Sequence, residues 1–261
     1  MHAHYDPMRG PKDSCTKQEN ALGICSGGFA RVATAVAEAR AEGPTLFLNA
    51  GDTFHGTMWY KIFKAPLAVY LMNMLAPDAV ALGNHEFDDN VVGLLPFLSG
   101  AKFPIVCSNL DFHKVPEMQA FPSLQRSTVI RKLGRKIGVI GYLTPLTKYY
   151  VPYNNVEFVD EIAAINLEAN HLTHQGVDII IALGHSGYDK DRMIALACHD
   201  VDVVIGGHSH TFLYTGTPPS YDRPEGDYPT VVTRPNGQKV PVLQAFAFTK
   251  YLGKINLEVA N

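Results

Sequence analysis

Four apolar segments of the chain each end in glycine followed at once by a polar side chain that can bind a metal ion. The segments LFLNAGD, VALGN, IIALGH and VVIGGH place these side chains at Asp52, Asn84, His185 and His208. One such pair is usually an ordinary turn, but four repeats of the same arrangement favour a shared site. Glycine lets the backbone turn sharply just before each ligand. The sequence therefore predicts a metal site assembled from four segment ends.

The donor atoms in this set indicate which metals it would bind. Carboxylate, amide oxygen and imidazole together suit zinc, manganese or iron better than calcium, which prefers oxygen ligands only. The chain contains no CxxC pair that would compete for such ions. His208 and His210 are two residues apart, so in an extended segment both project to the same side and could serve two neighbouring metals. His2 and His4 have the same spacing.

Helical and strand patterns alternate along most of the chain, and the four polar side chains follow predicted strands. Ligands of α/β proteins bind beyond the carboxyl ends of strands, where distant segments converge. The alternation favours a layered α/β fold without a boundary between domains, and with a mixed sheet or two packed sheets. Helices are predicted at 28–42, 65–75, 90–98, 160–176 and 189–200, and strands at 44–52, 78–82, 103–109, 177–183 and 201–206.

Antiparallel strands are predicted in two further regions. The segment STVIRKLGRKIGVIGYL is typical of a hairpin that turns near Gly134, and the tail 239–259 is typical of two more antiparallel strands. The proline-rich segment 214–235 predicts a surface loop around one short strand.

Composition and charge limit the classes of partner. The 261 residues are 46% hydrophobic and 18% charged, which suits a globular protein rather than disorder. A net charge of −3 provides no global positive field, so neither nucleic acid nor direct membrane contact is expected. No apolar stretch approaches the roughly 18 residues of a spanning helix, and the polar start MHAHYDPMRGPK lacks the apolar part of a signal peptide. The oligomeric state is left open.

The four cysteines are of two kinds. Cys107 and Cys198 lie in apolar contexts typical of buried free thiols. Cys15 and Cys25 bracket the polar segment CTKQENALGIC, whose length a disulfide could close, with a stabilisation of about 2–3 kcal/mol if formed. Such a bridge would indicate an oxidising compartment, whereas two separate loop thiols are the open alternative.

Five longer segments are more specific than any single motif: NAGDTFHGTMWY, ALGNHEFDDNVVGLLPFL, ALGHSGYDKD, GGHSHTFLYTGTPPS and QAFAFTKYLG. They resemble the catalytic domain of the 5′-nucleotidase/apyrase family, a group of calcineurin-like dinuclear metallophosphoesterases. The resemblance covers nearly the whole chain and implies one catalytic domain over residues 1–261. It also implies a four-layer αββα sandwich of mixed β-sheets, which fits the alternating helices and strands.

Matching the family pattern to this sequence implies a cofactor of two divalent transition-metal ions, with zinc favoured over manganese or others. Cys15 and Cys25 resemble the family's short N-terminal disulfide. The implied metal ligands are Asp52 as the carboxylate that bridges both ions, Asn84, His185 and His208 for one ion, and His2 and His210 for the other.

The family pattern also implies the catalytic residues. His85 resembles the catalytic histidine and Asp88 the carboxylate that orients it. Because consecutive side chains diverge, Asn84 can face a metal while His85 faces the substrate's phosphate, which makes both candidate substrate-binding residues. Asp88 can fix the imidazole tautomer, so that His85 stabilises the transferring phosphoryl group or protonates the leaving oxygen. Glu86 is interpreted as a structural hydrogen-bonding residue. Two metals about 3.5–4 Å apart would lower the pKa of a bound water toward ~7 and so supply hydroxide for in-line attack on phosphorus.

The resemblance implies an enzyme that removes phosphate from 5′-nucleotides, outside the cell or at its surface. Apyrase-type hydrolysis of ATP or ADP is the close alternative, and a metal-binding module with little turnover is a rival from another class. A serine hydrolase is disfavoured because the sequence contains no G-x-S-x-G elbow.

The two ends of the sequence depart from the family pattern. That pattern begins Asp-x-His, and the chain begins Met1–His2, so the aspartate is expected just before Met1. The family also continues into a second, nucleotide-binding domain, which is expected beyond Asn261.

Other polar and aromatic residues are given structural interpretations. Asp189 and Asp191 are predicted to start a helix by capping, and Trp59 and Tyr60 to pack in the core at a helix start. Six histidines lack a ligand context and are predicted to be solvated or capping, with His55 close enough to Asp52 to line the pocket. These histidines are His4, His55, His113, His171, His174 and His199.

Overall fold

The protein was analysed as a computed structural model, which describes residues 1–10 and 13–258. The five predicted helices are all present in it, accompanied by three short ones. An Ala-rich segment forms the second helix, which begins after Gly28 and ends before Gly43. The helices are α1 (Lys17–Ala21), α2 (Phe29–Glu42), α3 (Met58–Leu75), α4 (Asn90–Gly100), α5 (Pro116–Gln119), α6 (Thr147–Tyr150), α7 (Glu161–His174) and α8 (Tyr188–Ala197).

Most strands are short, and the two longest, Arg135–Leu143 and Ile179–His185, are neighbours in the larger sheet. They are β1 (Met8–Gly10), β2 (Asp13–Ser14), β3 (Leu48–Asn49), β4 (Ala79–Ala81), β5 (Ile105–Val106), β6 (Leu110–Asp111), β7 (Leu124–Gln125), β8 (Ser127–Lys132), β9 (Arg135–Leu143), β10 (Glu157–Phe158), β11 (Ile179–His185), β12 (Val203–Ile205), β13 (Thr230–Thr233) and β14 (Lys239–Leu243).

Two main sheets form the centre of the fold. The larger sheet has the order β13-β14-β12-β11-β9-β8, with parallel strands in the middle and an antiparallel strand at each edge. The smaller sheet has the order β3-β4-β5-β7, and all its pairs are parallel. The expectation of two packed sheets is confirmed, but only the larger sheet is mixed.

Alternating side chains of β11 show how the sheets and helices are layered. Ile181 and Leu183 pack in a hydrophobic cluster between the two sheets, together with residues of β4 and β5. Ile180 and Ala182 point the other way and pack with residues of α7 and α8. A third cluster joins the smaller sheet to α2, α3 and α4. The result is the predicted four-layer αββα sandwich.

The two sheets approach each other closely at Gly141 in β9. A side chain there would place its Cβ 2.0 Å from the carbonyl oxygen of Val106 in β5, so only glycine fits. The backbone N–H of Ser108 donates a hydrogen bond to the Gly141 carbonyl at 2.8 Å. This contact fixes the spacing of the sheets.

The hairpin near Gly134 is confirmed, since β8 and β9 pair antiparallel around it. The tail differs from its prediction. Its first strand, β14, pairs antiparallel with β13, the short strand predicted within segment 214–235. No second strand follows within residues 244–258, and residue 259 lies outside the described part of the chain. Left-handed backbone angles at Phe248 and Thr249 turn this segment away from extended structure and across the N-terminal residues.

Helix α3 begins seven residues earlier than the predicted start of 65. It bends at Lys64, whose φ is 54°, and Pro66 follows in the first turn of the second half, where its missing N–H is tolerated. Tyr60 is buried and stacks on a core aromatic ring, as predicted. Trp59 was wrongly predicted as core, because it is half-exposed and donates its indole N–H to Asp6 at 2.7 Å.

The structure joins Cys15 to Cys25 in a disulfide, with Cα atoms 6.1 Å apart. Cys107 and Cys198 are buried free thiols, as predicted. Among the described residues, no helix combines the length and the hydropathy that crossing a membrane requires.

Candidate dinuclear metal centre

The four predicted strand-end residues meet at one edge of the sandwich. Asp52 and Asn84 follow β3 and β4 of the smaller sheet, while His185 ends β11 and His208 follows β12 of the larger one. Both pairs are neighbouring parallel strands, so their carboxyl ends point the same way. Packing one sheet on the other brings the two loop sets together.

We call six of the predicted residues the inner cluster. Their donor atoms surround the Asp52 carboxylate, which belongs to two groups of potential ligands whose atoms lie within 4.8 Å of one another. One group adds His2 and His210 to Asp52, and the other adds His185 and His208. Asp52 is therefore placed between two adjoining sites. The inner cluster consists of His2, Asp52, Asn84, His185, His208 and His210.

The side-chain nitrogen and oxygen atoms of the inner cluster lie at short distances from one another. The His2 and His210 Nε2 atoms are 2.9 Å apart, and His2 Nε2 lies 3.3 Å from Asp52 Oδ2. His208 Nδ1 lies 3.0 Å from Asn84 Oδ1. Nitrogen and oxygen lone pairs thus converge on a small volume, which is the arrangement expected of metal ligands.

The imidazole of His185 is oriented so that it can bind a cation. Its Nδ1 lies 2.7 Å from the carbonyl oxygen of Ala50, which can only accept, so Nδ1 carries the proton. Nε2 then presents a lone pair toward Asp52 Oδ2 at 2.8 Å, and this buried nitrogen has no hydrogen-bond partner. A neutral ring fixed in one tautomer by a backbone carbonyl is typical of metal-binding histidines.

Electrostatics favour neutral imidazoles at three of the four histidines of the inner cluster. His185 is the exception, because the Asp52 carboxylate and the Ala50 carbonyl raise its pKa despite its burial. Burial lowers the pKa of His2 to about 2 and the pKa of His208 to about 4. Burial also lowers the pKa of His210. Burial alone would raise the pKa of Asp52, but the neighbouring His185 imidazole outweighs it and lowers the value. Metal ions bind these protonation states: neutral imidazole and carboxylate.

Four residues of the inner cluster have a strained backbone conformation. Asp52, His2, His208 and His210 have left-handed φ angles between 50° and 76°, which non-glycine residues seldom adopt. Such conformations persist where the surrounding structure enforces them, and they cluster at functional sites.

The glycines before the ligands act differently from the prediction. Of the four, only Gly51 has a left-handed φ, at 89°. At position 83 glycine is required because it lacks a side chain: a Cβ there would lie 2.2 Å from Asp52 Oδ1. These glycines mainly let the two strand ends pack against each other.

Glu86 has the structural role that was predicted. Its buried carboxylate accepts hydrogen bonds from the backbone N–H groups of Asp52, Thr53, Phe54 and Gly83, at 2.6 to 3.0 Å. These donors come from both loops of the smaller sheet. Glu86 therefore fixes the position of Asp52 relative to the turn that carries Asn84.

His85 and Asp88 form the predicted pair. The 3₁₀ turn Asn84–Phe87 directs Asn84 and His85 apart, and His85 Nδ1 lies 2.7 Å from Asp88 Oδ2. Burial would lower the pKa of His85, but the hydrogen bond with Asp88 and the charge of Asp52 raise it overall. The ring is 30% exposed and therefore accessible to a bound molecule.

His55 belongs to the same surface and was missed as a partner of this pair. Its Nδ1 lies 3.0 Å from Asp88 Oδ2, and its ring stacks on His85 with centroids 4.8 Å apart. Lining the pocket was predicted for His55, but the contact with Asp88 had no local sequence signal. We call His55, His85 and Asp88 the outer cluster.

Of the remaining histidines, His4 is buried and the other four are exposed. His4 was wrongly predicted as solvated: it is buried against Phe248, with centroids 4.4 Å apart, and its Nδ1 has no hydrogen-bond partner. His113 is exposed and pairs with Asp111 at 2.6 Å. The other exposed histidines are His171, His174 and His199.

Asp191 was wrongly predicted as a helix cap. Its fully buried carboxylate accepts hydrogen bonds from Tyr142 Oη at 2.7 Å and Gln244 Nε2 at 2.6 Å. Gln244 also binds the backbone of Gly207 and Thr211, on either side of the two histidines of that loop. Asp189 is exposed and makes no side-chain cap of α8. Asp191 and Gln244 thus position the loop that carries two inner-cluster residues.

Comparison with known proteins agrees with this geometry. The chain is 45% identical over 249 residues to the 5′-nucleotidase of Mus musculus, covering 94% of this chain and 43% of that protein. It is 43% identical over 262 residues to a snake venom 5′-nucleotidase of Crotalus adamanteus, covering 98% of this chain and 43% of that protein. The chain therefore spans less than half the length of these relatives.

A solved structure is also similar. The crystal structure of a 5′-nucleotidase precursor from Thermus thermophilus matches with a TM-score of 0.86 and 34% identity, covering 95% of this chain and 48% of that one. The family described as calcineurin-like phosphoesterase matches residues 1–212, a range that contains every residue of the inner and outer clusters. This chain belongs to the calcineurin-like phosphoesterase family.

Proposed function

We propose that the chain is the catalytic domain of a 5′-nucleotidase, which hydrolyses the phosphate ester of 5′-nucleotides with the help of two divalent metal ions. The observation that carries this proposal is the placement of Asp52 between two groups of potential ligands, with His85 and Asp88 on the accessible side. The names of the similar proteins support the nucleotide as substrate.

The inner cluster would supply the ligands. His2 and His210 would bind one ion, and Asn84, His185 and His208 the other, with Asp52 between them. Imidazole, amide and carboxylate donors favour zinc, with manganese as a second choice. When bound, such ions activate water for attack on phosphorus and neutralise the phosphate oxygens.

His85 would act on the substrate itself. Its Nδ1 is occupied by Asp88, which leaves Nε2 for a phosphoryl oxygen or the leaving oxygen. The Asp88 carboxylate favours the protonated imidazole, so Nε2–H can donate a hydrogen bond to developing negative charge. It can also transfer its proton to the leaving oxygen.

An extracellular or cell-surface location is part of the proposal. It is supported by the disulfide between Cys15 and Cys25, because such bonds persist in oxidising compartments. One similar protein is a venom enzyme by name.

The test is a metal titration of the purified chain after removal of metal with a chelator. We expect zinc or manganese to rebind and to restore hydrolysis of an aryl phosphate and of AMP. Rebinding without turnover at any metal concentration would identify a metal-binding module instead. Faster hydrolysis of ATP than of AMP would indicate an apyrase, and failure to rebind metal would contradict the ligand assignments.

A further inference from the structure

The outer cluster contains a third group of potential metal ligands. Atoms of His55, His85 and Asp88 lie within 4.8 Å of one another, as in the two groups around Asp52. Both imidazole Nδ1 atoms approach one carboxylate oxygen, at 3.0 Å for His55 and 2.7 Å for His85. Two nitrogens and one carboxylate oxygen are a donor set that zinc accepts, with a remaining position for water.

The outer cluster is far more open than the inner one. The side chains of His55 and His85 are 59% and 30% exposed, whereas that of His185 is 3% exposed. A hydrated ion could therefore reach the outer cluster from solvent without displacing other parts of the chain.

The fold holds these three residues together although His55 is distant in sequence from the other two. His55 lies three residues beyond Asp52 and has a left-handed φ of 60°. Gly56 packs so closely on His2 that a Cβ would lie 2.4 Å from the His2 carbonyl oxygen. The Gly56 contact holds the His55 loop against His2. The backbone N–H groups of Thr53 and Phe54 donate hydrogen bonds to Glu86, which ties the loop to the turn that carries His85.

We propose that the outer cluster binds a third divalent ion when metal is in excess, and that this ion inhibits hydrolysis. The inhibition rests on the function proposed above. An ion bound to His85 Nδ1 and Asp88 breaks the hydrogen bond between them, so Asp88 no longer orients the imidazole toward the substrate. Low zinc would then fill the inner cluster and activate the enzyme, while high zinc would occupy the outer cluster.

The experiment compares the wild-type chain with His55→Ala and with His55→Gln, which can still hydrogen-bond to Asp88 but is a poor metal ligand. Equilibrium dialysis against zinc followed by elemental analysis counts bound ions. We expect both variants to bind one ion fewer per chain than wild type at excess zinc. Rates at each zinc concentration are expressed relative to each variant's own maximum, so that any change in turnover cancels.

The inhibitory zinc concentration should rise by about 10- to 100-fold or more in both variants, because even indirect partners of metal ligands are worth that much affinity. His113→Ala is the matched control. His113 forms a comparable exposed pair with Asp111 at 2.6 Å, but that pair belongs to none of the ligand groups found in the described residues. It should behave as wild type does.

Two results would overturn the inference: equal numbers of bound ions in wild type and both His55 variants, or inhibition at the same zinc concentration in all of them. Failure of the proposed function is distinguishable. In that case no phosphate ester is hydrolysed at any zinc concentration, and the dialysis result still decides whether the outer cluster binds an ion.

Discussion

The inner and outer clusters lie side by side at the same strand ends, yet their surroundings are opposite. Asp52 and His185 are 3% and 2% exposed, and each is fixed by backbone groups. The outer cluster is half-open, and its three side chains are held mainly by one another. The difference suits the two tasks proposed above: buried and fixed side chains for binding metal, and accessible side chains for acting on a substrate.

The comparison predicts that the inner cluster controls metal content. Asp52→Ala removes the carboxylate shared by both ligand groups, so both ions should be lost and turnover should fall by more than about 10⁴-fold. Elemental analysis after dialysis and kcat on an aryl phosphate measure the two effects. Full metal content in this variant would mean that Asp52 is not shared between the sites.

The outer cluster is predicted to control turnover without controlling metal content at limiting zinc. His85→Ala should lower kcat by about 10²- to 10⁴-fold, the contribution of a positioned acid or hydrogen-bond donor. Its inner-cluster ions should remain, because His85 contributes no side-chain ligand there. His174→Ala, on the exposed end of α7, is the control for substituting a histidine. Equal loss of metal in His85→Ala and Asp52→Ala would remove the distinction between the clusters.

Much of the inner cluster could be predicted because its signals are local in sequence. Asp52, Asn84, His185 and His208 each follow an apolar run and a glycine, and strand geometry brings such ends together. His2 and His210 depended on the family resemblance, since no strand precedes His2 and the spacing of His210 did not fix its partner. The four-layer fold followed from the alternation of helices and strands and from the same resemblance.

The missed features depend on contacts between residues far apart in the chain. His55 meets Asp88 across 33 positions, and nothing in GDTFHGT indicates that meeting. His4 is buried by Phe248, which arrives from the tail. Within residues 244–258 the predicted second strand is reduced to one antiparallel bridge between Ala245 and Phe212, because the residues that follow cross the N-terminal segment.

Asp191 is a buried side chain that supports the inner cluster without belonging to it. Tyr142 and Gln244 donate hydrogen bonds to its carboxylate, and Gln244 binds the loop that carries His208. Burial outweighs these hydrogen bonds and raises the pKa of Asp191 to about 7. The side chain therefore keeps its proton in the folded chain at pH values where the unfolded chain has released it.

This shift has a definite sign for stability. A carboxyl whose folded pKa is raised stabilises the fold fully below its unfolded value, near 4, and loses that contribution as the pH rises toward 7. Wild type should therefore lose up to about 1.4 kcal/mol of unfolding free energy per pH unit in this window relative to Asp191→Asn, which cannot ionise. Urea unfolding of both proteins with chelator present, from pH 4 to pH 7, measures the difference without competition between protons and metal. Parallel pH profiles would show that Asp191 ionises normally in the fold, and would leave its hydrogen bonds to Tyr142 and Gln244 as its only support of the inner cluster.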